Sequence, residues 1–157
     1  MNPYTVHYAF SQAFNFPAKT AYDWCVDYKP DDWARMGLKG TRKVKRINED
    51  TLILTDTVMG ESGSVTKQRL VRLNPDRLAW TNTHLTGPNR HSQFWYQIVV
   101  EGRAKSRLDF IGLQVNYEKR PSPARLAEMA EELATEDSGH WQLLAKEMRK
   151  DLSRQRR

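Results

Sequence analysis

A single cysteine, Cys25, occurs among 157 residues. One thiol closes no intrachain disulfide and builds no thiolate-rich metal site. Its place on the apolar face of a short helical segment reads as a small buried hydrophobe. The four histidines, at 7, 84, 91 and 140, show no metal-ligand spacing, so neither a metal nor a cofactor is expected. Long apolar runs are missing too. No window approaches the roughly 20 apolar residues that cross a bilayer, and the first residues form neither a basic start nor an apolar stretch. The expectation is a cytoplasmic protein with no transmembrane segment. Absent as well are the G-x-S-x-G elbow, H-E-x-x-H, the phosphate-binding P-loop and G-x-G-x-x-G. Met59-Gly60-Glu61-Ser62-Gly63 has two glycines, but it joins strand to strand and reads as a hairpin turn. Without a Gly/Ser linker, repeat or low-complexity stretch, residues 1–157 read as one domain.

What is present is an ordered series of periodicities. Tyr4, Val6, Tyr8 and Phe10 share one face of an opening strand. Phe16-Pro17 ends it, and proline, pre-set for a first helical turn, leads into a short helix whose apolar face is Ala21, Tyr22, Cys25 and Val26. A second helical piece, Pro30 to Met36, follows. Turn signals at Asn48-Glu49-Asp50, Gly60-Glu61-Ser62-Gly63, Asn74-Pro75-Asp76, Gly87-Pro88-Asn89 and Glu101-Gly102 then bound strands near 40–47, 51–59, 64–73, 77–86, 91–101 and 103–117. After Arg120-Pro121-Ser122-Pro123 the period becomes helical. Leu126, Met129, Ala130, Leu133, Ala134, Trp141, Leu144, Met148 and Leu152 fall on one stripe, placing a helix at about 122–153 against the sheet. Gly139 marks a hinge or break in it, with Asp137-Ser138 placed to cap a second segment.

That order resembles the START-like or Bet v 1-like helix-grip superfamily (SRPBCC), and nearly the whole chain takes part. Phe14-Asn15-Phe16-Pro17-Ala18, Tyr22-Asp23-Trp24, Leu73-Asn74-Pro75-Asp76-Arg77-Leu78-Ala79-Trp80 and Glu136-Asp137-Ser138-Gly139-His140-Trp141 are similar to its polyketide cyclase/dehydrase-like branch. The resemblance implies an α+β fold: a curved antiparallel seven-stranded sheet (β-α-α-β6-α) wrapped around a long C-terminal helix, with an internal cavity. It carries over no catalytic residue, because none of these motifs is catalytic and such scaffolds serve many functions.

Alternation along the strands predicts the cavity wall. Leu78, Trp80, Ile98, Val100, Leu108 and Phe110 form its apolar end. Asn82, His84, Phe94, Tyr96, Gln114 and Asn116 gather toward the other. Buried polar groups cost roughly 1–3 kcal/mol each unless partnered, so several together predict a wet pocket. Asp56 and Arg69 join the inward set if Leu52, Leu54, Val65 and Val71 face inward; Ile53 and Leu70 support the opposite parity. The candidate ligand-binding residues are therefore Trp80, Asn82, His84, Phe94, Tyr96, Phe110, Asp56 and Arg69. His84 and Tyr96 are the acid-base candidates, since histidine alone titrates near neutrality.

The net charge of +6 concentrates in Lys39, Arg42, Lys43, Lys45 and Arg46 and in Arg149, Lys150, Arg154, Arg156 and Arg157. With no nucleic-acid motif beside them, these read as a solvated outer face and a polar tail, and nucleic acid is not the expected partner. The expected partner is a hydrophobic or amphipathic small molecule: a lipid, isoprenoid, polyketide or aromatic metabolite. Two alternatives stand beside it: a cyclase, dehydratase or hydrolase using the same cavity, and a protein- or nucleic-acid-binding module using the basic surface.

Overall fold

A computed structural model describes residues 2–155, so the expected basic positions Arg156 and Arg157 lie outside the described residues. The chain forms β1 (Tyr4–Phe14), α1 (Ala18–Cys25), α2 (Asp32–Arg35), β2 (Gly40–Asn48), β3 (Thr51–Gly60), β4 (Gly63–Asn74), a 3₁₀ turn (Pro75–Arg77), β5 (Ala79–His84), β6 (Gln93–Gly102), β7 (Lys105–Asn116) and α3 (Pro123–Gln155). The seven strands make one antiparallel sheet in the order β1-β7-β6-β5-β4-β3-β2. Consecutive hairpins build β2 to β7, and β1 closes on β7 with Tyr4 opposite Asn116 and Phe14 opposite Ser106. The helices α1 and α2 therefore carry the chain from one sheet edge to the other.

Alternation decides which face is covered. Tyr4, Val6 and Tyr8 of β1 are buried while Thr5, His7 and Ala9 are exposed, the signature of a sheet with one face in the core. The main core joins Phe14, Phe16, Tyr22, Leu52, Leu54 and Leu108 to Ala145 and Met148 of α3. A smaller cluster of Tyr8, Phe94 and Phe110 meets Ala130, Leu133 and Ala134 of the same helix. α3 lies chiefly along β1, leaving room between it and the middle of the sheet.

Three expectations need correction. α3 runs unbroken for 33 residues, with no division at Gly139. The carboxylate of Asp137, expected to cap a second segment, instead receives a hydrogen bond from Tyr8. Val100 is 67% exposed rather than core, because β6 shifts register there on its way into the Gly102 turn. β5 begins at Ala79 and not at 77, since Pro75–Arg77 coil into a 3₁₀ turn that Leu78 ends in the left-handed region, at φ 51°. No register shift falls among the expected site residues: among the described residues the strands slip between Arg46 and Asn48 and between Val100 and Gly102.

Candidate functional site

A cavity of about 480 Å³ lies between the sheet, α1, α2 and α3. Its apolar wall starts on neighbouring strands, where Trp80 and Tyr96 are directly opposite each other. Their rings stack with centroids 4.6 Å apart and planes within 2°. Phe110 meets Tyr96 edge-on at 5.1 Å and Tyr8 at 5.4 Å. Trp141 closes the wall from α3, 5.9 Å from Tyr96. Gly112 stands opposite both Tyr8 and Phe94, and a Cβ there would sit 2.6 Å from the Tyr8 ring. Absence of a side chain at that position is what lets Tyr8 lie flat against the sheet.

The far end is built from charge. Asp56 accepts from Arg42 Nε at 2.8 Å and Nη2 at 3.1 Å, and also from Arg69 Nη2. Arg42 Nη1 donates to Asp32 at 2.7 Å, tying α2 to β2. Burial would raise the Asp56 carboxyl, but hydrogen bonds from Arg42 and the charge of Arg69 hold it below its ordinary range. Burial raises Asp32 despite its arginine partner. Arg42 also lies 5.5 Å from the ring centroids of both Tyr28 and Trp33. Tyr28 takes a left-handed φ of 41°, redirecting the chain between α1 and α2.

Three polar atoms on this wall are buried with no hydrogen-bond partner among the described residues: Trp33 Nε1, Asn82 Oδ1 and His84 Nδ1. Asn82 uses its amide nitrogen on the Tyr96 hydroxyl at 3.4 Å, which leaves the oxygen unused. His84 packs on Phe94 at 5.0 Å. Its pKa is pushed down to about 4, first by burial and then by the charges of Arg69 and Lys67. It is neutral at pH 7.

On the helix side, Tyr8 donates to Asp137, and burial raises both groups above their ordinary ranges. Glu136 and His140 stand near this pair on the cavity wall. Farther along α3, Arg35 of α2 donates to Glu147 at 3.0 Å and to Asp151 at 2.7 Å, while Trp24 Nε1 donates to Asp151 at 2.9 Å. These bonds hold α1 and α2 down as a cover.

Of the residues singled out from the sequence, Trp80, Asn82, His84, Phe94, Tyr96, Phe110 and Arg69 line this one cavity. Asp56 does not; it sits behind the wall, 3% exposed, with both oxygens taken by arginine, so it positions Arg42 and Arg69 and has no contact to offer a ligand. Arg42, expected on a solvated face, points inward with its side chain 6% exposed. Its signal was legible in one place: counting back from the Asn48-Glu49-Asp50 turn puts Arg42 opposite Asp56. Trp33, Tyr28 and Lys67 were also missed; neither helix period nor strand parity points to Trp33 or Tyr28, whereas Lys67 shares the parity of Arg69, two residues along β4. Cys25 lines the cavity with a thiol that burial pushes well up, in keeping with a small hydrophobe.

No family model and no curated protein matches this sequence. Solved structures do match. The Zhui aromatase/cyclase from Streptomyces sp. R1128 has a TM-score of 0.76 at 13% identity, over 95% of this chain and 96% of its own. Ara h 8.0201 gives 0.66 at 8% identity, over 94% and 98%. A START superfamily protein from Mycobacterium smegmatis gives 0.67 at 15% identity, over 92% and 98%. The chain has the START-like, Bet v 1-like helix-grip fold. The identities are low enough that the likeness is one of fold. Among the described residues no helix is long and apolar enough to cross a membrane.

Proposed function

We propose that the domain binds an amphipathic small molecule, its ring system among Trp80, Tyr96, Phe110 and Trp141 and its polar end toward Arg69, Asn82 and His84. One observation carries this reading: a cavity of about 480 Å³, within the range of small-molecule sites, has aromatic walls and a polar end where three buried atoms lack partners. Such atoms are costly until something hydrogen-bonds to them. The neighbour described as an aromatase/cyclase makes catalysis the natural rival. Against it, a general base works best with a pKa near the working pH, and His84, pushed down to about 4, suits instead a wall residue whose unpartnered Nδ1 is left for a ligand.

Native mass spectrometry of freshly purified protein, followed by titration with 1-anilinonaphthalene-8-sulfonate, tests the reading. A co-purified small molecule, or saturable one-to-one dye binding that Trp80→Ala weakens, supports it. A ligand-free spectrum together with no saturable binding overturns it. Fluorescence of Trp80 alone is a poor reporter, because Trp24, Trp33 and Trp141 line the same cavity.

A further inference from the structure

We infer that the ligand is a planar aromatic carboxylic acid that also carries a hydroxyl group, its carboxylate against Arg69 and Lys67 and its hydroxyl against Asn82. The inference rests on the binding reading above and names the chemistry that the wall would recognise.

Charge selects the acid. All three donor nitrogens of Arg42 are engaged, on Asp56 and Asp32. Arg69 gives one bond, to Asp56, and its other donors have no partner among the described residues. Lys67 lines the same end and makes no ion pair among the described residues. Asp56 and Asp32 against Arg42, Arg69 and Lys67 leave one positive charge for a monoanion, since Asp27, the other carboxylate on the α1–α2 side of the wall, is paired with Lys29 at 3.5 Å. The carboxyls of Glu136 and Asp137 stand on α3, where Asp137 is already bonded to Tyr8, so the β4 side is the end an anion would face.

Hydrogen bonding selects the hydroxyl. Asn82 is 3% exposed and presents an acceptor with nothing donating to it. A carboxylate donates nothing, so it cannot serve the Asn82 Oδ1; a hydroxyl can. Arg69 pairs with His84 and Val71 with Asn82, making Arg69 and Asn82 diagonal neighbours across two strands. The backbones of such neighbours stand about 7–8 Å apart, and the Arg69 guanidinium is drawn toward Asp56 on β3, away from Asn82 on β5, so the two substituents belong on opposite sides of a ring rather than on adjacent carbons. The parallel Trp80 and Tyr96 rings favour a flat molecule.

Calorimetric titration of the full chain at pH 7 with 1-naphthol, 1-naphthoic acid and 4-hydroxy-1-naphthoic acid tests this. The expected order is hydroxy acid tightest and naphthol weakest, with steps on the order of tenfold for the charge-assisted contact and severalfold for the neutral one. Arg69→Gln should abolish the preference for acid over naphthol, and Asn82→Leu that for hydroxy acid over acid. Should either variant fail to fold, the order on the unmodified chain decides. Naphthol binding as tightly as the two acids overturns the inference and leaves the binding reading standing. No binding of any probe, together with no dye binding, overturns both.

Discussion

Asp56 holds two guanidinium groups at once, and its removal would leave two buried cations facing each other. Breaking a buried ion pair from one side costs about 3–5 kcal/mol, so Asp56→Ala should lower the free energy of urea unfolding by that order. Arg69→Gln should cost less, because Arg42 still occupies both carboxylate oxygens. Equal losses would mean that the Arg42 contact contributes little. His84 gives a different signature. Its folded pKa of about 4 lies below the ordinary 6.5, so its stabilising share is complete above pH 6.5 and is lost as pH falls toward 4. Burial raises the carboxyls of Asp27, Asp32 and Asp137, which act with the opposite sign as they take up protons. The difference between the parent protein and His84→Gln therefore isolates the histidine: from pH 7.5 to pH 4.5 the parent should lose more stability than the variant. Parallel curves would place His84 in solvent.

α3 shows how far local pattern reaches. Its stripe was legible because a helical period is written in the residues themselves, whereas the Asp137 carboxylate is taken by a tertiary partner, Tyr8, that no local pattern announces. A Cβ at Gly139 would meet nothing within 4 Å. Gly139→Ala should accordingly raise stability by about 0.5–1 kcal/mol in thermal or urea unfolding, where a true break or hinge would give a loss. Depth along the stripe was not legible. Met148 is wholly buried in the main core, while Leu133 and Leu144 are only partly buried and border the cavity. Met148→Ala should cost about 2–5 kcal/mol, and Leu133→Ala or Leu144→Ala distinctly less, since their outer atoms already face open space. Calorimetry on the three variants ranks them. A period records which face turns inward, and a void under that face leaves no mark in the period.

At the scale of the whole molecule, element order was enough to read the fold: one strand, two short helices, six hairpin-linked strands and a long helix permit few other closures once β1 must pair with β7. The aromatic half of the cavity was legible for the same reason, because Trp80, Phe94, Tyr96 and Phe110 alternate on three adjacent strands. Its charged half was less so, because Arg42 comes from a strand that otherwise reads as solvated, and Trp33 from a four-residue helix with no period. The same division governs stability. The aromatic wall packs on the main core through Trp80, whereas at the polar end the side chains that α2, β2, β3 and β4 send inward are tied by shared ion pairs around an open space. An occupant that bridges that space binds the folded state alone and stabilises it by mass action, by about 2.7 kcal/mol at a hundred times its dissociation constant. For a chain of this length each kcal/mol moves the midpoint by roughly 2–4 °C, so a saturating ligand should raise Tm by about 5–11 °C. Scanning calorimetry with 4-hydroxy-1-naphthoic acid checks this at the concentration its titration fixes. A rise in the parent protein that disappears in Arg69→Gln places the occupant at the charged end, a rise that persists in the variant places it elsewhere on the folded chain, and an unchanged midpoint at saturation would show that the compound binds the unfolded chain as well.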